Sequence, residues 1–244
     1  MKIKIHKPNI FPQNRIIAGI TETNFDRFSS GFSIFPAKIF SIEEVEYFRV
    51  ILANNLGLKR QYLAFQKQEH SDCIQVIDSI NIHEINISDG MITNLKNVVL
   101  NVTVADCAAV LIYDEQKEVI GAFHSGWRGT QKNIVAKGIQ KMEENFGCSA
   151  KDMIVWISPS AGMKNYEVGQ EVAELFDEKF TKPVGNDKFL LDIKGAIKEQ
   201  LLNCGVIEKN IEISEICTIE DSRFHSFRRD RDRSGRMSAF IGMK

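Results

Sequence analysis

The sequence lacks a long apolar run and an excess of charge of either sign. No stretch approaches the roughly 20 apolar residues of a membrane-spanning helix, and the lysines near the N-terminus are not followed by the apolar run of a signal peptide. The formal net charge of −1 over 244 residues provides no broad attraction to nucleic acid or to anionic membranes. We therefore expect a cytoplasmic protein that binds neither nucleic acid nor membranes.

Paired cysteines and common nucleotide-binding motifs are also missing. The five cysteines include no C-x-x-C pair, which excludes a zinc ribbon and a thioredoxin motif. Neither G-x-G-x-x-G nor G-x-x-x-x-G-K-[ST] occurs. The simplest interpretation of the cysteines is a set of reduced thiols in a cytosolic protein.

Residue patterns predict a mixture of helices and strands in one domain over residues 1–244, because no repeat or linker divides the chain. A capping box and apolar stripes predict helices that follow Ser41, follow Thr130, run through 172–179 and follow Asp192. Runs rich in β-branched and aromatic residues predict strands at 73–77, 98–104, 109–113, 118–123, 153–157, 211–217 and 237–241. The strands cluster in the middle of the chain, which favours an α+β fold with a mixed sheet.

Three potential metal ligands stand at predicted strand ends, where loops form sites. They are His70, Cys107 and His124. Two imidazoles and one thiolate suit zinc, although these ligands are too far apart in the sequence to form a local zinc motif. Taken alone, a histidine beside a strand is more often a packed or surface residue than a metal ligand.

Two arginine-containing segments are candidates for anion binding. Gly126 and Gly129 surround Arg128 just before a helix, so the Ser125–Gly126 backbone and the guanidinium can hold phosphate. The alternative is a strand-to-helix turn with Arg128 in solvent. The second segment has two interpretations. Either Arg228 or Arg229 turns inward to hold an anion, or the alternating Arg and Asp residues form a solvated surface.

Four motifs in a fixed order resemble the YfiH/laccase-domain family, once labelled polyphenol oxidases. They are Thr103–Cys107, His124–Gly129, the 158–169 segment with Tyr166-Glu167-Val168-Gly169, and Phe227–Asp230 with Gly235-Arg236. The resemblance covers roughly residues 60–244. It implies a layered α/β/β/α fold and a zinc site made by His70, Cys107 and His124.

The resemblance also implies an activity. The family's activity is phosphorolysis of purine nucleosides (adenosine, inosine, guanosine and methylthioadenosine), accompanied by adenosine deamination, and some bacterial relatives are linked to peptidoglycan editing. We therefore expect small-molecule nucleosides and phosphate as partners. The catalytic candidates are Cys107 and His124, with Ser125, Gly126, Arg128 and Arg228 as phosphate-binding candidates.

The sequence departs from the family pattern at four places. Ser71 replaces the glycine after the first histidine, and Glu69 replaces the valine before it. Asn165 replaces a cysteine before the Tyr-Glu-Val stretch. An N-terminal motif rich in arginine and glycine is not recognisable, and residues 20–24 stand where it would be. This last change bears on substrate affinity and choice.

The number of histidines argues against copper chemistry. A multicopper oxidase needs about ten histidines for its copper centres, whereas the chain has His6, His70, His83, His124 and His225. Three zinc ligands leave a fourth position open, which is typical of catalytic zinc.

Two alternatives remain: a metal-free cysteine hydrolase with Cys107 as nucleophile and His124 as base, and a non-catalytic zinc-binding cell-wall accessory protein. The preferred nucleoside, the proton shuttle and the oligomeric state stay open.

Overall fold

The computed structural model describes residues 1–78 and 86–244. His83 lies outside the described residues. The strands are β1 Ile5–His6, β2 Ile16–Thr21, β3 Leu63–Ala64, β4 Ile74–Val76, β5 Gly90–Thr93, β6 Val99–Val104, β7 Ala108–Asp114, β8 Val119–Ser125, β9 Met153–Ile157, β10 Glu167–Gly169, β11 Thr181–Gly185, β12 Lys188–Leu191, β13 Ile211–Ile213 and β14 Met237–Met243. The α-helices are α1 Ile42–Asn55, α2 Trp127–Gln131, α3 Ile134–Phe146, α4 Gln170–Ala173, α5 Ile193–Asn203 and α6 Phe227–Asp230.

Two large sheets form the centre of the fold, and both are mixed. One has the strand order β1-β2-β14-β6-β3, with β3 parallel to β6 and the other neighbours antiparallel. The other has the order β13-β9-β7-β8-β5-β4, with parallel pairs at both edges. A separate, small antiparallel sheet has the strand order β10-β12-β11.

The hydrophobic core is divided by these sheets into layers. Residues of β2, β6 and β14 pack against residues of β7, β8 and β9, so the two large sheets face each other. The other face of the first sheet is covered by α1, and the other face of the second by α3 and α5. The predicted α/β/β/α arrangement with mixed sheets is confirmed.

The helices with clear capping signals form as predicted. In α1 the Ser41 hydroxyl accepts a hydrogen bond from the Glu44 amide at 3.1 Å, and the Glu44 carboxylate accepts one from the Ser41 amide at 3.0 Å. Helix α3 ends before Gly147, which has a left-handed φ of +65°, but it begins at Ile134 and not directly after Thr130, which lies in α2. Helix α5 begins after Asp192, whose side chain accepts a hydrogen bond from the Gly195 amide.

The helix predicted through residues 172–179 is wrong. Helix α4 ends at Ala173, and a separate 3-10 turn follows at Glu178–Phe180. The Asp177 side chain accepts a hydrogen bond from the Lys179 amide, so it starts a new turn instead of continuing the old one. Leu175, expected on the buried stripe, is 48% exposed.

The strand predicted at 211–217 is shorter, since β13 ends at Ile213.

Within the described ranges, we find no helix with both the length and the apolar character needed to cross a bilayer.

Candidate functional site

Strand pairing brings the three predicted ligands together. In the second large sheet Ala108 of β7 lies opposite Ser125 of β8, so Cys107, just before β7, and Gly126, just after β8, are neighbours. His124 is the penultimate residue of β8. His70 precedes β4 and has a left-handed φ of +57°. Its amide donates to the Asp89 carboxylate, and the Asp89 carbonyl oxygen accepts from the His124 amide, which ties His70 to the end of β8.

The ligand atoms of His70, Cys107 and His124 all lie within 4.8 Å of one another. The Cys107 Sγ is 4.0 Å from the His70 Nε2. The two imidazole rings are edge-to-face, with centroids 4.8 Å apart. Residues far apart in the chain thus present two nitrogens and one sulfur toward a common point, where one metal ion could contact all three.

A buried aspartate outside the predicted set holds this cluster in place. Asp89, directly before β5, accepts a hydrogen bond from the His124 Nδ1 at 2.7 Å. The same carboxylate accepts bonds from the backbone amides of Glu69, His70 and Ser71, and from the Ser71 hydroxyl. With Nδ1 donating to Asp89, Nε2 is the His124 nitrogen that can bind a metal, and it does so in its deprotonated form.

Mutual attraction among Asp89, Cys107 and His124 shifts the pKa of each of these three groups toward the ionised form. Burial raises the pKa of Asp89, but hydrogen bonds from His124 and Ser71 outweigh it and lower that pKa to about 2. Burial likewise raises the pKa of Cys107, yet the His124 and His70 imidazoles lower it to about 6. Burial lowers the pKa of His124, while Cys107 and Asp89 raise it to about 9. A thiolate is therefore the stable form of Cys107 in this pocket.

Gly126 is required by the close approach of two strand ends. A Cβ at this position would lie 2.7 Å from the Cys107 Sγ and 3.3 Å from the His70 Cδ2. This packing explains the glycine after β8 without any special backbone angle. The predicted role of the Gly126 backbone in binding phosphate stays a prediction.

The predicted anion-binding residues differ in their availability. Arg128 is exposed, and its guanidinium stacks on the Trp127 ring at 4.1 Å. The guanidinium of Arg228 lies 5.6 Å from the centre of the Tyr166 ring. Ser125 is fully buried, and its hydroxyl shares a hydrogen bond with Thr130, so the role of Ser125 in binding phosphate stays a prediction.

Arg229, the other inward candidate, has a structural role. Its guanidinium donates to the carbonyl oxygens of Thr218, Ile219 and Phe224 and pairs with Asp230. It therefore fixes the loop that carries Arg228 and is not free to hold an anion.

Tyr166 is a further site residue that pattern analysis did not single out. It is 8% exposed. Burial raises its pKa, as does the nearby Cys107 thiolate, while Arg228 and Arg128 lower it. Because burial is the largest of these effects, Tyr166 stays neutral and able to donate a hydrogen bond. Its position in the Tyr-Glu-Val motif was the available signal.

Comparison with known proteins identifies the family. Residues 18–244 match the family described as multi-copper polyphenol oxidoreductase laccase. The chain belongs to this family. The purine nucleoside phosphorylase YlmD of Bacillus subtilis is 29% identical over 93% of this chain and 85% of its own length. A purine nucleoside phosphorylase of Clostridium acetobutylicum is 36% identical over 73% of this chain and 76% of its own.

Solved structures agree with this assignment. A hypothetical protein YfiH of Bacillus licheniformis superposes with a TM-score of 0.87 at 26% identity, covering 94% of this chain and 93% of that chain. YlmD of Geobacillus stearothermophilus gives a TM-score of 0.87 at 25% identity, covering 97% of this chain and all of its own. Family and fold are therefore shown by sequence and by structure.

The departures from the family pattern are accommodated locally. Asn165 donates hydrogen bonds to the Cys217 Sγ at 3.6 Å and to the Glu220 carboxylate at 2.6 Å. Ser71 supplies two of the donors to Asp89, so its hydroxyl adds a bond that glycine could not make. The Glu69 carboxylate points to Lys67 at 2.6 Å and away from the cluster.

Proposed function

We propose that the chain is a zinc-dependent purine nucleoside phosphorylase that also deaminates adenosine. The observation that carries the proposal is the convergence of His70, Cys107 and His124 on one point, in a chain whose curated relatives are named purine nucleoside phosphorylases. The substrates are adenosine, inosine, guanosine and methylthioadenosine, as the family resemblance implies.

The donor set fits zinc better than the copper in the family's description. Two imidazole nitrogens and a thiolate are ordinary zinc ligands, and Asp89 orients His124 as outer carboxylates do at zinc sites. The sequence's five histidines are too few for multicopper centres. When bound, a zinc ion with three protein ligands offers an open coordination position and acts as a Lewis acid.

Phosphorolysis requires phosphate to attack C1′ as the bond from C1′ to the base nitrogen breaks. Positive charge develops on the sugar, and the base leaves with the bonding electrons and takes up a proton. Arg128 and Arg228 are the proposed phosphate ligands, and holding the phosphate in position lowers the barrier by several kcal/mol. The neutral Tyr166 phenol offers a further hydrogen bond.

Adenosine deamination depends on moving a proton to the departing ammonia. Glu69 is paired with Lys67, and both Asp106 oxygens accept hydrogen bonds, so neither carboxylate next to a ligand is free as a shuttle. We therefore expect inosine to form from adenosine more slowly than adenine does when phosphate is present.

The test is to incubate purified, zinc-loaded protein with adenosine, with and without phosphate, and to separate the products. Adenine and ribose 1-phosphate should form only with phosphate, and inosine should form in both cases. His124→Ala and Cys107→Ser should lose all products, whereas Cys73→Ser, which alters an exposed thiol outside the cluster, should keep them. Zinc-replete protein that converts none of the four nucleosides would overturn the proposal.

A second candidate is favoured by one specific contact. Asp89, His124 and Cys107 are arranged like the acid, base and nucleophile of a cysteine hydrolase, and the pKa of Cys107 is lowered to about 6 despite its burial. That activity would survive chelation and be abolished by thiol alkylation. Loss of activity on chelation, with recovery on adding zinc, excludes it.

A further inference from the structure

Asp106 stands at the point where the metal-site turn meets two other segments. It precedes Cys107 and adopts a left-handed φ of +84°, which is uncommon for a residue with a side chain. Its carbonyl oxygen accepts a hydrogen bond from the Ala161 amide at 2.8 Å. The residue is 8% exposed, so its carboxylate is buried.

Both carboxylate oxygens of Asp106 are occupied by distant residues. Oδ1 accepts a hydrogen bond from the Thr218 hydroxyl at 2.8 Å, and Oδ2 accepts one from the Arg228 backbone amide at 2.6 Å. Thr218 is fully buried, and its own amide donates to the Ser160 carbonyl oxygen. This side chain thus joins the turn before Cys107 to Thr218 and Arg228, which lie more than 100 residues further along the chain.

The bond to the Arg228 amide has a consequence for the guanidinium. Helix α6 is one turn long and cannot fix its own position by helical bonding alone. Asp106 holds the start of that turn, and the Arg228 guanidinium then reaches the face of Tyr166. The same carboxylate favours the charged form of the partly buried Arg236, whose pKa is lowered by burial and raised by Cys107 and Asp106.

A buried carboxylate whose oxygens both accept hydrogen bonds is suited to holding other groups in place. We propose that Asp106 is a positioning residue. It fixes Arg228 at the phosphate subsite and holds Arg228 in a constant position relative to the neighbouring ligand Cys107. This inference rests on the proposed phosphorylase function. It assigns the phosphate-binding geometry to a residue that does not itself contact phosphate.

The test measures KM for phosphate, kcat and zinc content in single and double variants. Asp106→Gly removes the carboxylate and suits the left-handed backbone, so the turn itself is not strained. We expect KM for phosphate to rise about 10- to 100-fold with zinc content unchanged. Asp106→Asn should restore KM to within about threefold, because its oxygen accepts from Arg228 and its amide donates to Thr218.

The decisive comparison is a double-mutant cycle with Arg228→Ala. If Asp106 acts through Arg228, Asp106→Gly adds nothing to the KM of the Arg228→Ala enzyme. Fold-changes that multiply in the double variant would overturn the inference. Asp114→Gly, at the other end of β7, is the matched control for losing a buried carboxylate and should leave KM for phosphate unchanged.

A further variant covers the case in which Asp106→Gly does not fold. Asp106→Glu keeps the negative charge but moves it by one methylene group, so KM for phosphate should rise. In the Arg228→Ala enzyme, the same substitution should leave KM for phosphate unchanged. An unchanged KM in Asp106→Glu would contradict the inference. A wild-type enzyme without phosphate-dependent activity would instead remove the proposed function, which is a distinguishable outcome.

Discussion

At the scale of single residues, Asp89 determines the geometry of the cluster. It contacts both histidine segments, through His124 Nδ1 and through the amides around His70, so one carboxylate sets the distance between the two rings. Sequence patterns predicted His70, Cys107 and His124 because these residue types have a metal preference. They could not predict Asp89, since a lone aspartate before a short strand has many ordinary explanations.

Replacing Asp89 with Asn should weaken zinc binding by about 10- to 100-fold. The neutral amide no longer stabilises the His124 ring by charge, and its single oxygen cannot serve all the donors that the carboxylate serves. Competition with a chelating dye measures the affinity. Asp114→Asn is the control, because it alters a buried aspartate whose oxygens accept from the amides of Gln116, Lys117 and Ser149 and from none of the cluster residues. Equal zinc affinity in wild type and Asp89→Asn would refute this role.

At the scale of elements, the site depends on how β7 and β8 end. The antiparallel register places Cys107 beside Gly126, and the absence of a side chain at Gly126 lets the thiol and the His70 ring approach. Strong local signals, such as the capping box of α1 and the Asp192 cap of α5, predicted those helices correctly. Where local signals competed, as at Asp177, the predicted helix was wrong, and the short strand β5 was missed.

Gly126→Ala should reduce zinc content and activity while the protein remains folded. The added methyl group would sit 2.7 Å from the Cys107 Sγ, so the thiol must move away from the histidines. Zinc analysis together with circular dichroism separates the two effects. Gly185→Ala, in the β11–β12 hairpin, strains the backbone at a φ of +95° but places no atom within 4 Å of the new carbon, so it should keep full zinc content. Full zinc occupancy in Gly126→Ala would show that the close approach is not required.

At the scale of the whole molecule, the site is assembled by long-range packing of two sheets. The C-terminal strand β14 pairs with β2 and β6, and it thereby brings the α6 segment to the turn that carries Asp106. Periodicity in the sequence predicted the α+β class, but it contains no information on which distant strand ends meet. For that reason the expectation that the motifs lie together in space came from the family resemblance and not from the spacing of the motifs in the sequence.

His225 links the N-terminal segment to the same C-terminal region and should make stability depend on pH. Its Nε2 donates to the Phe32 carbonyl oxygen and its Nδ1 accepts from the Gly235 amide, so the ring must be neutral. Burial lowers the pKa of His225 from 6.5 to about 4. The unfolded chain therefore binds the proton more readily, and the contribution of His225, up to about 3 kcal/mol, is present above pH 6.5 and is lost as the pH falls toward 4.

Urea unfolding of wild type and His225→Asn at pH 7.5 and pH 4.5 isolates this contribution, because the other titrating groups are common to both proteins. The wild type should be the more stable at pH 7.5, and its advantage should shrink by about 2–3 kcal/mol at pH 4.5. The sign follows from the direction of the shift: a histidine that must be neutral when folded favours unfolding once protons are available. An advantage of the same size at both pH values would mean that His225 is not the group that couples folding to acid.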